Sequence, residues 1–203
     1  MKPVVDCIGD LLQSGADYIV HQTNCVNIHG EAWGIARSIF DRWPHANIYN
    51  EENCFARAGT TIIVASTKDQ NTSRPFIVNV FGQRYCGKPR QSEPAYRREQ
   101  WFKAGLADFR EQLREHQSLH SSVSPVKIAF PYGIGCGLAG GAWQEYRRMI
   151  EEFAEECKRL DFQVQIYIYK ERNKHLRVVF SLAKVLSAIA MVFVAVLIYR
   201  AQR

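Results

Sequence analysis

Apolar residues along this chain follow two different periods, and the two periods alternate. Short runs rich in β-branched and aromatic residues predict strands, and longer stretches with apolar residues three or four positions apart predict amphipathic helices. The predicted strands cover 3–8, 17–23, 60–65, 76–81, 126–131 and 163–169, and the predicted helices cover 32–43, 94–117 and 143–160. Strands that alternate with amphipathic helices predict a layered α/β domain with a mixed sheet.

The predicted strand at 126–131 runs into a loop with the five glycines Gly133, Gly135, Gly137, Gly140 and Gly141. Glycines let a backbone approach a ligand closely and turn its N–H groups toward an anion. The helix predicted from Trp143 adds the partial positive charge of its N-terminus. The spacing matches neither of the common nucleotide-binding loop motifs. The pattern favours a phosphate-binding loop, and the alternative is a strand-to-helix turn that needs positive φ angles.

Residues 178–199 form an apolar segment of 22 residues with a single charge, Lys184. As a helix this segment is about 33 Å long, which is enough to cross the hydrocarbon core of a bilayer. Only four residues follow the segment, so it is expected to be a tail anchor in a membrane. More basic residues precede the segment than follow it, which by the positive-inside rule marks the preceding side as cytoplasmic. The preceding domain, residues 1–172, is then expected to face the cytoplasm. The alternative is a buried core helix of that domain.

The formal net charge of +6 belongs to the end of the chain. Residues 170–203 contain seven Lys or Arg and one Glu, which leaves 19 basic and 19 acidic residues in 1–169 from totals of 26 and 20. A neutral globular part argues against a broad nucleic-acid interface, so no nucleic-acid partner is expected. The six cysteines form no CxxC pair and no Cys/His cluster with zinc-site spacing. Neither a metal nor a cofactor is therefore predicted.

Polar and aromatic residues at the ends of the predicted strands are candidates for ligand contacts, because ligands bind at the carboxyl ends of strands in such sheets. Asp10 suits the exocyclic amine of adenine, or else caps the turn that follows it. Asn24 suits ribose hydroxyls, with a turn residue as the alternative. Cys136 is a candidate nucleophile and Phe81 a candidate stacking residue, although core packing is the more common role for both. His21, on an apolar strand, is interpreted as a core residue.

Several segments together resemble the macro domain family of ADP-ribose-binding modules, and the resemblance covers most of residues 3–169. They are Gly-Asp-Leu at 9–11, Ile-Val-His-Gln-Thr-Asn at 19–24, Gly-Ile-Ala at 34–36, Asn-Val-Phe-Gly-Gln at 79–83 and Pro-Tyr-Gly-Ile-Gly-Cys-Gly-Leu-Ala-Gly-Gly at 131–141. The last two segments are similar to signatures of a divergent macro-like group. The resemblance implies a three-layer α/β/α fold with a mixed central sheet.

The resemblance also implies roles for individual residues in binding ADP-ribose. Asp10 would contact adenine and Asn24 would lie near the distal ribose. Residues 34–36 match the end of the family's first glycine loop, and residues 133–137 match its second glycine loop, which would bind the diphosphate. The ligand-binding residues predicted in this way are Asp10, Asn24, Gly34, Ile35, Phe81, Gly133, Ile134, Gly135, Cys136, Gly137 and Leu138.

The chain departs from the catalytic members of this family at two places. Some members remove terminal ADP-ribose with a lysine and an aspartate, and the corresponding places here hold Phe81-Gly82 and Ala139. This difference argues against a lysyl intermediate. Three hypotheses follow: a membrane-tethered protein that binds ADP-ribose or an ADP-ribosylated substrate, a hydrolase, and a macro-like scaffold without ligand. The hydrolase would act through an oriented water on ADP-ribosyl linkages or on ADP-ribose 1″-phosphate, with Asn24 as the best catalytic candidate.

Overall fold

Six strands and three α-helices follow one another in the computed structural model, which describes residues 3–27, 31–50, 57–65, 75–117 and 126–169. The strands are β1 (Val4–Ile8), β2 (Tyr18–Val26), β3 (Thr61–Val64), β4 (Phe76–Tyr85), β5 (Val126–Pro131) and β6 (Phe162–Ile168). The α-helices are α1 (Ile35–Arg42), α2 (Ala95–Gln117) and α3 (Trp143–Lys158). Short 3₁₀ turns cover Leu11–Gln13, Pro44–Ala46 and Ile48–Asn50.

The strands form one sheet in the order β1-β6-β5-β2-β4-β3. Every pairing is parallel except that of β3 with β4. The mixed sheet predicted from the hydrophobic pattern is therefore confirmed. Because five neighbouring strands run in the same direction, their carboxyl ends lie along one edge of the sheet. That edge is where ligands bind in sheets of this kind.

Side chains that alternate along the strands pack into two cores, one on each face of the sheet. On the face covered by α2 and α3, the ring of Phe153 contacts the rings of both Phe109 and Phe130. On the other face, Ile39 and Phe40 of α1 pack into a second buried cluster. The result is the three-layer α/β/α arrangement that the family resemblance implied.

Two central strands are longer than their apolar patterns predict. β2 continues to Val26 and β4 continues to Tyr85. The register between them shifts after Thr23, so that Asn24 pairs with the residue beyond Gly82 and Gly82 forms a bulge in β4. The extensions begin with Asn24 and with Gly82-Gln83, which break the hydrophobic pattern, and this is why alternation did not extend the strands so far.

Other predicted boundaries differ for local reasons. α1 begins at Ile35 rather than at 32, because Gly34 has a φ angle of 60° and lies outside the helix. The predicted membrane segment at 178–199 lies outside the described residues. Within the ranges that the structure describes, no helix is both long enough and apolar enough to cross a membrane.

His21 is a fully buried side chain in the middle of β2, which confirms its interpretation as a core residue. Its Nε2 atom lies 2.8 Å from Asn79 Oδ1, and its ring packs edge-on against Phe40. Burial lowers the pKa of His21 to about 4, although the hydrogen bond with Asn79 acts in the opposite direction. The imidazole is therefore neutral in the folded protein at neutral pH.

We expect the free energy of unfolding to fall as the pH is lowered from 6.5 to about 4. In this range the unfolded chain binds a proton at His21 while the folded chain does not, so the folded state loses up to about 3 kcal/mol from this residue. Urea unfolding at about pH 7 and about pH 4 measures the effect. A His21→Gln variant keeps a polar group next to Asn79 and should show a weaker pH dependence. An identical pH dependence in the variant would contradict the assignment.

Candidate functional site

A cleft of about 550 Å³ opens at the carboxyl edge of the sheet. Its floor is formed by the ends of β2 and β4, and its walls by the start of α1 and by the loop that follows β5. We call this loop, residues 132–141, the second glycine loop. The cleft therefore lies where the parallel topology directs a ligand.

The second glycine loop leaves some of its main-chain N–H groups without a hydrogen bond inside the loop. Gly133 and Gly135 both have a φ angle of 72°, whereas Ile134 between them has a negative φ. Alternation of this kind turns successive N–H groups toward one side and forms an anion-binding concavity. The turn hydrogen bonds within the described part of the loop do not use the N–H groups of Gly135 and Gly137. These two donors are therefore free of the loop's own carbonyl groups.

Two glycines of this loop are required because the loop lies directly on Tyr146. A Cβ atom at Gly135 would lie 2.3 Å from Tyr146 Cε1, and one at Gly141 would lie 2.5 Å from Tyr146 Cε2. Tyr146 belongs to α3 and is completely buried. A Cβ atom at Gly137, in contrast, meets no atom within 4 Å. A side chain at position 135 thus enters the core, and a side chain at position 137 enters open space beside the cleft.

The helix whose N-terminus lines the cleft is α1. Gly34, Ile35 and Ala36 all contribute to the cleft wall. The helix that follows the second glycine loop begins at Trp143, which is not among the residues that line the cleft. The sequence predicts the favourable partial charge at the start of α3, whereas in the structure the helix start that lines the cleft is that of α1. A partial positive charge still faces the cleft from one wall.

Asn24 lines the cleft and is held by contacts that the sequence did not predict. The Tyr49 hydroxyl donates to Asn24 Oδ1 over 2.6 Å, and Asn24 Nδ2 donates to the Val26 carbonyl over 2.7 Å. Tyr49 also lines the cleft. These two hydrogen bonds thus fix the side chain of Asn24 at the floor of the cleft.

Asp10 lies in a neighbouring cavity of about 510 Å³ rather than in the cleft itself. Its Oδ1 atom accepts a hydrogen bond from the Leu12 N–H over 2.9 Å and caps the 3₁₀ turn. Ile35 and Tyr132 line both the cleft and this cavity, so the two spaces adjoin. The capping role leaves the second carboxylate oxygen of Asp10 for a ligand, so both interpretations from the sequence are compatible with the structure.

Phe81 and Cys136 are placed away from the cleft surface. Phe81 is completely buried in the core on the α1 face. Cys136 donates its thiol proton to the Ile134 carbonyl over 3.1 Å. Burial, reinforced by the negative charge of Glu99, raises the pKa of the Cys136 thiol to about 11. The thiol is protonated at neutral pH and is a poor nucleophile, so both residues serve packing.

A buried ion pair connects the second glycine loop with the segment that follows β4, and sequence reasoning missed it. Arg98 Nε lies 2.7 Å from Glu93 Oε1 as an ion pair rather than an aligned hydrogen bond, and both side chains are 2% exposed. Arg98 Nη1 donates to the carbonyl of Gly87 over 2.6 Å and to that of Ala139 over 3.0 Å. Gly87 and Ala139 both line the cleft. Arg98 lies in the first turns of a predicted helix, and nothing in the sequence indicates that this arginine is buried.

Glu31 is the single charged side chain among the described residues that line the cleft. It is exposed and lies on the loop that precedes α1. The sequence alone does not single out this carboxylate as a general base, because its position relative to the second glycine loop depends on the fold. Within the described ranges, no group of His, Cys, Asp or Glu side chains is arranged to hold a metal ion.

Comparison with solved structures identifies the fold. The macrodomain of Mycobacterium tuberculosis DarG aligns with a TM-score of 0.61 and 22% identity, over 81% of this chain and 96% of that one. The macrodomain of Thermus aquaticus DarG gives 0.59 and 20%, over 83% and 98%. Thermosipho africanus DarTG in complex with ADP-ribose gives 0.57 and 16%, over 85% of this chain and 44% of that one. No protein-family model and no curated protein matches the sequence. The chain therefore has the macrodomain fold.

We expect Gly135→Ala to destabilise the protein by about 3 kcal/mol, because the new methyl group combines overpacking against Tyr146 with a left-handed φ angle. Gly137→Ala is the matched control, since its Cβ atom meets no neighbour within 4 Å. This control should change the free energy of unfolding by less than about 1 kcal/mol. Chemical unfolding of both variants measures the difference. Equal stability of the two variants would contradict the close approach to Tyr146.

Proposed function

We propose that this protein binds ADP-ribose or an ADP-ribosyl derivative in the cleft. The observation that carries the proposal is the second glycine loop, whose left-handed glycines leave main-chain N–H groups free in one wall of the cleft, while the N-terminus of α1 forms the other wall. Two sources of partial positive charge that face each other suit a diphosphate. The complex of Thermosipho africanus DarTG with ADP-ribose, which shares the fold, supports this choice of ligand.

The adjoining cavities suit the remaining parts of the same ligand. Adenine would occupy the cavity beside Asp10, where a carboxylate oxygen accepts a hydrogen bond from the exocyclic amine. The terminal ribose would lie over Asn24 and Gln83 at the ends of β2 and β4. The diphosphate would bridge the two parts above Ile35, which lines both spaces. The ligand would thus occupy both the cleft and the adjoining cavity, from Asp10 to Asn24.

We expect ADP-ribose to bind residues 1–172 and Gly137→Glu to abolish binding. The glutamate side chain would enter open space at the proposed diphosphate position and repel it by like charge. Isothermal titration calorimetry and thermal shift with ADP-ribose measure this effect. Gln100→Glu, at an exposed position of α2, is the matched control for the added charge and should bind as wild type does. Absence of both heat and thermal shift in the wild type would refute the proposal.

Hydrolysis of an ADP-ribosyl linkage is a second candidate function, and the position of Glu31 favours it. A carboxylate in the wall of the cleft suits a general base that takes a proton from an attacking water. The neutral amide of Asn24 has no such capacity but suits orientation of the ribose. This route needs no lysine nucleophile, so the replacements at Phe81-Gly82 and Ala139 do not oppose it.

If the protein is a hydrolase, Glu31→Gln should lower the turnover of ADP-ribose 1″-phosphate or of an ADP-ribosylated protein by about a hundredfold. The affinity for ADP-ribose should stay within about twofold, because the substitution preserves shape. Glu155→Gln, on the exposed side of α3, controls for loss of a surface carboxylate. If the wild-type protein binds ADP-ribose tightly but turns over neither substrate, hydrolysis is refuted and binding remains the proposed function.

We also propose that residues 178–199 tether the protein to a membrane with the domain on the cytoplasmic side. The length of the apolar segment and the excess of basic residues before it support this assignment. After extraction of membranes with alkaline carbonate, the full-length chain should remain in the pellet and residues 1–172 should be released. Release of the full-length chain into the supernatant would refute the anchor.

A further inference from the structure

The segment that follows Gln83, residues 84–90, is held in place by hydrogen bonds to its main chain. The carboxylate of Glu93 accepts two of its N–H groups, over 3.0 and 3.2 Å. The guanidinium of Arg98 donates to three of its carbonyl groups, over 2.6 to 3.4 Å. Because both of these side chains are buried, the segment is fixed from the inside and carries its own side chains at defined positions beside the cleft.

Three cationic side chains of this segment are exposed, and we call Arg84, Lys88 and Arg90 the basic rim. The guanidinium carbon of Arg84 lies 5.6 Å from the centroid of the Tyr85 ring, and that of Arg90 lies 5.9 Å from the same centroid. Both distances are typical of cation–π contacts, so one ring holds two positive charges. Lys88 lies against the second glycine loop, since a Cβ atom at Gly140 would be 3.5 Å from Lys88 Cγ.

The basic rim lacks the acidic partners that other basic residues of the surface have. None of the ion pairs among the described residues includes Arg84, Lys88 or Arg90. Several arginines of α2 and α3, in contrast, pair with carboxylates, namely Arg110, Arg114, Arg147 and Arg148. Like charges that are held close together repel one another and destabilise the folded state. A partner with negative charge would remove this repulsion.

We propose that the basic rim docks an acidic segment of a partner protein. The rim belongs to one short segment, whereas residues 1–169 as a whole contain equal numbers of basic and acidic residues. A local positive charge in a neutral domain suits a short run of Asp or Glu, because nucleic-acid binding requires a broader basic surface. Arginine is also well matched to carboxylates, with which its planar group forms two parallel hydrogen bonds.

The position of the basic rim identifies the partner as the protein that carries the ADP-ribosyl group, an assignment that rests on the proposed function. Arg84 directly follows Gln83, over which the terminal ribose would lie, and Gly87 of the same segment lines the cleft. A protein joined to the terminal ribose would therefore leave the cleft beside the basic rim. Its two contacts would reinforce each other, because once one is made the other is intramolecular.

The experiment measures how tightly the full-length chain binds a fluorescent peptide of alternating glutamate and glycine. The peptide is used free and also joined through an aminooxy group to C1″ of ADP-ribose. The wild type should bind the conjugate about tenfold more tightly than ADP-ribose. Added salt should reduce this gain, because exposed charges are screened. The triple variant Arg84→Gln/Lys88→Gln/Arg90→Gln should lose the gain and should still bind ADP-ribose as the wild type does.

Two controls isolate the charge of the basic rim. The variant Lys127→Gln/Lys158→Gln/Arg159→Gln removes three exposed cations at the start of β5 and the end of α3, which is the edge of the sheet opposite the cleft. It should keep the full gain. A conjugate with glutamine in place of glutamate has the same backbone without the negative charges, and it should bind no more tightly than ADP-ribose.

The outcomes separate this inference from the proposed function. A wild type that fails to bind ADP-ribose would overturn the proposed function and the identification of the partner, whereas loss of free-peptide binding in the triple variant would still support the basic rim. A gain that persists in the triple variant, or that the glutamine conjugate also gives, would overturn the rim. Tighter binding of oligothymidylate than of the free peptide would overturn an acidic protein as the partner. If thermal unfolding shows that the triple variant does not fold, the glutamine conjugate and the salt dependence decide.

Discussion

The cleft depends on the ion pair between Arg98 and Glu93, which ties the second glycine loop to the segment that follows β4. One guanidinium holds the carbonyl groups of Gly87 and Ala139, which belong to segments more than fifty positions apart in the sequence. Glu93 in turn accepts hydrogen bonds from the main-chain N–H groups of Arg84 and Tyr85 at the end of β4. These bonds fix the direction of the chain where the strand ends. Because both charges are buried, removal of either one leaves the other uncompensated, which is far more costly than the pair itself. The shape of the cleft thus depends on a charge pair that does not itself line the cleft.

The second glycine loop depends equally on the packing beneath it. Its glycines do not simply provide flexibility, because Gly135 and Gly141 lie against the ring of Tyr146 at distances that exclude any side chain. Tyr146 belongs to the same core as Phe102, and the centroids of the two rings are 4.7 Å apart. The position of the N–H groups that face the cleft is therefore determined by the core between α2, α3 and the sheet. In this region, therefore, core packing determines the loop geometry that a ligand would meet.

Sequence reasoning predicted the layered architecture, the second glycine loop and the position of Asn24, because periodicity and residue type are local properties. It did not predict Tyr49, whose hydroxyl meets Asn24 only after the chain has passed through α1 and two turns. It also missed Arg98, because a basic residue in an amphipathic helix is usually solvated and only the fold reveals burial. The ends of β2 and β4 were missed for a related reason, since polar residues that line a cleft interrupt the alternation by which strands are recognised.

The main-chain construction of the cleft also determines how binding responds to the solution. Among the described residues that line the cleft there is no lysine and no arginine, so the partial charges of N–H groups and of one helix end would meet a bound anion. Dipoles of this kind act over short distances, whereas the field of a lysine cluster extends over about a Debye length and is screened by added salt. A ligand bound as proposed would therefore depend on close contact rather than on long-range attraction, and its affinity would change little with ionic strength.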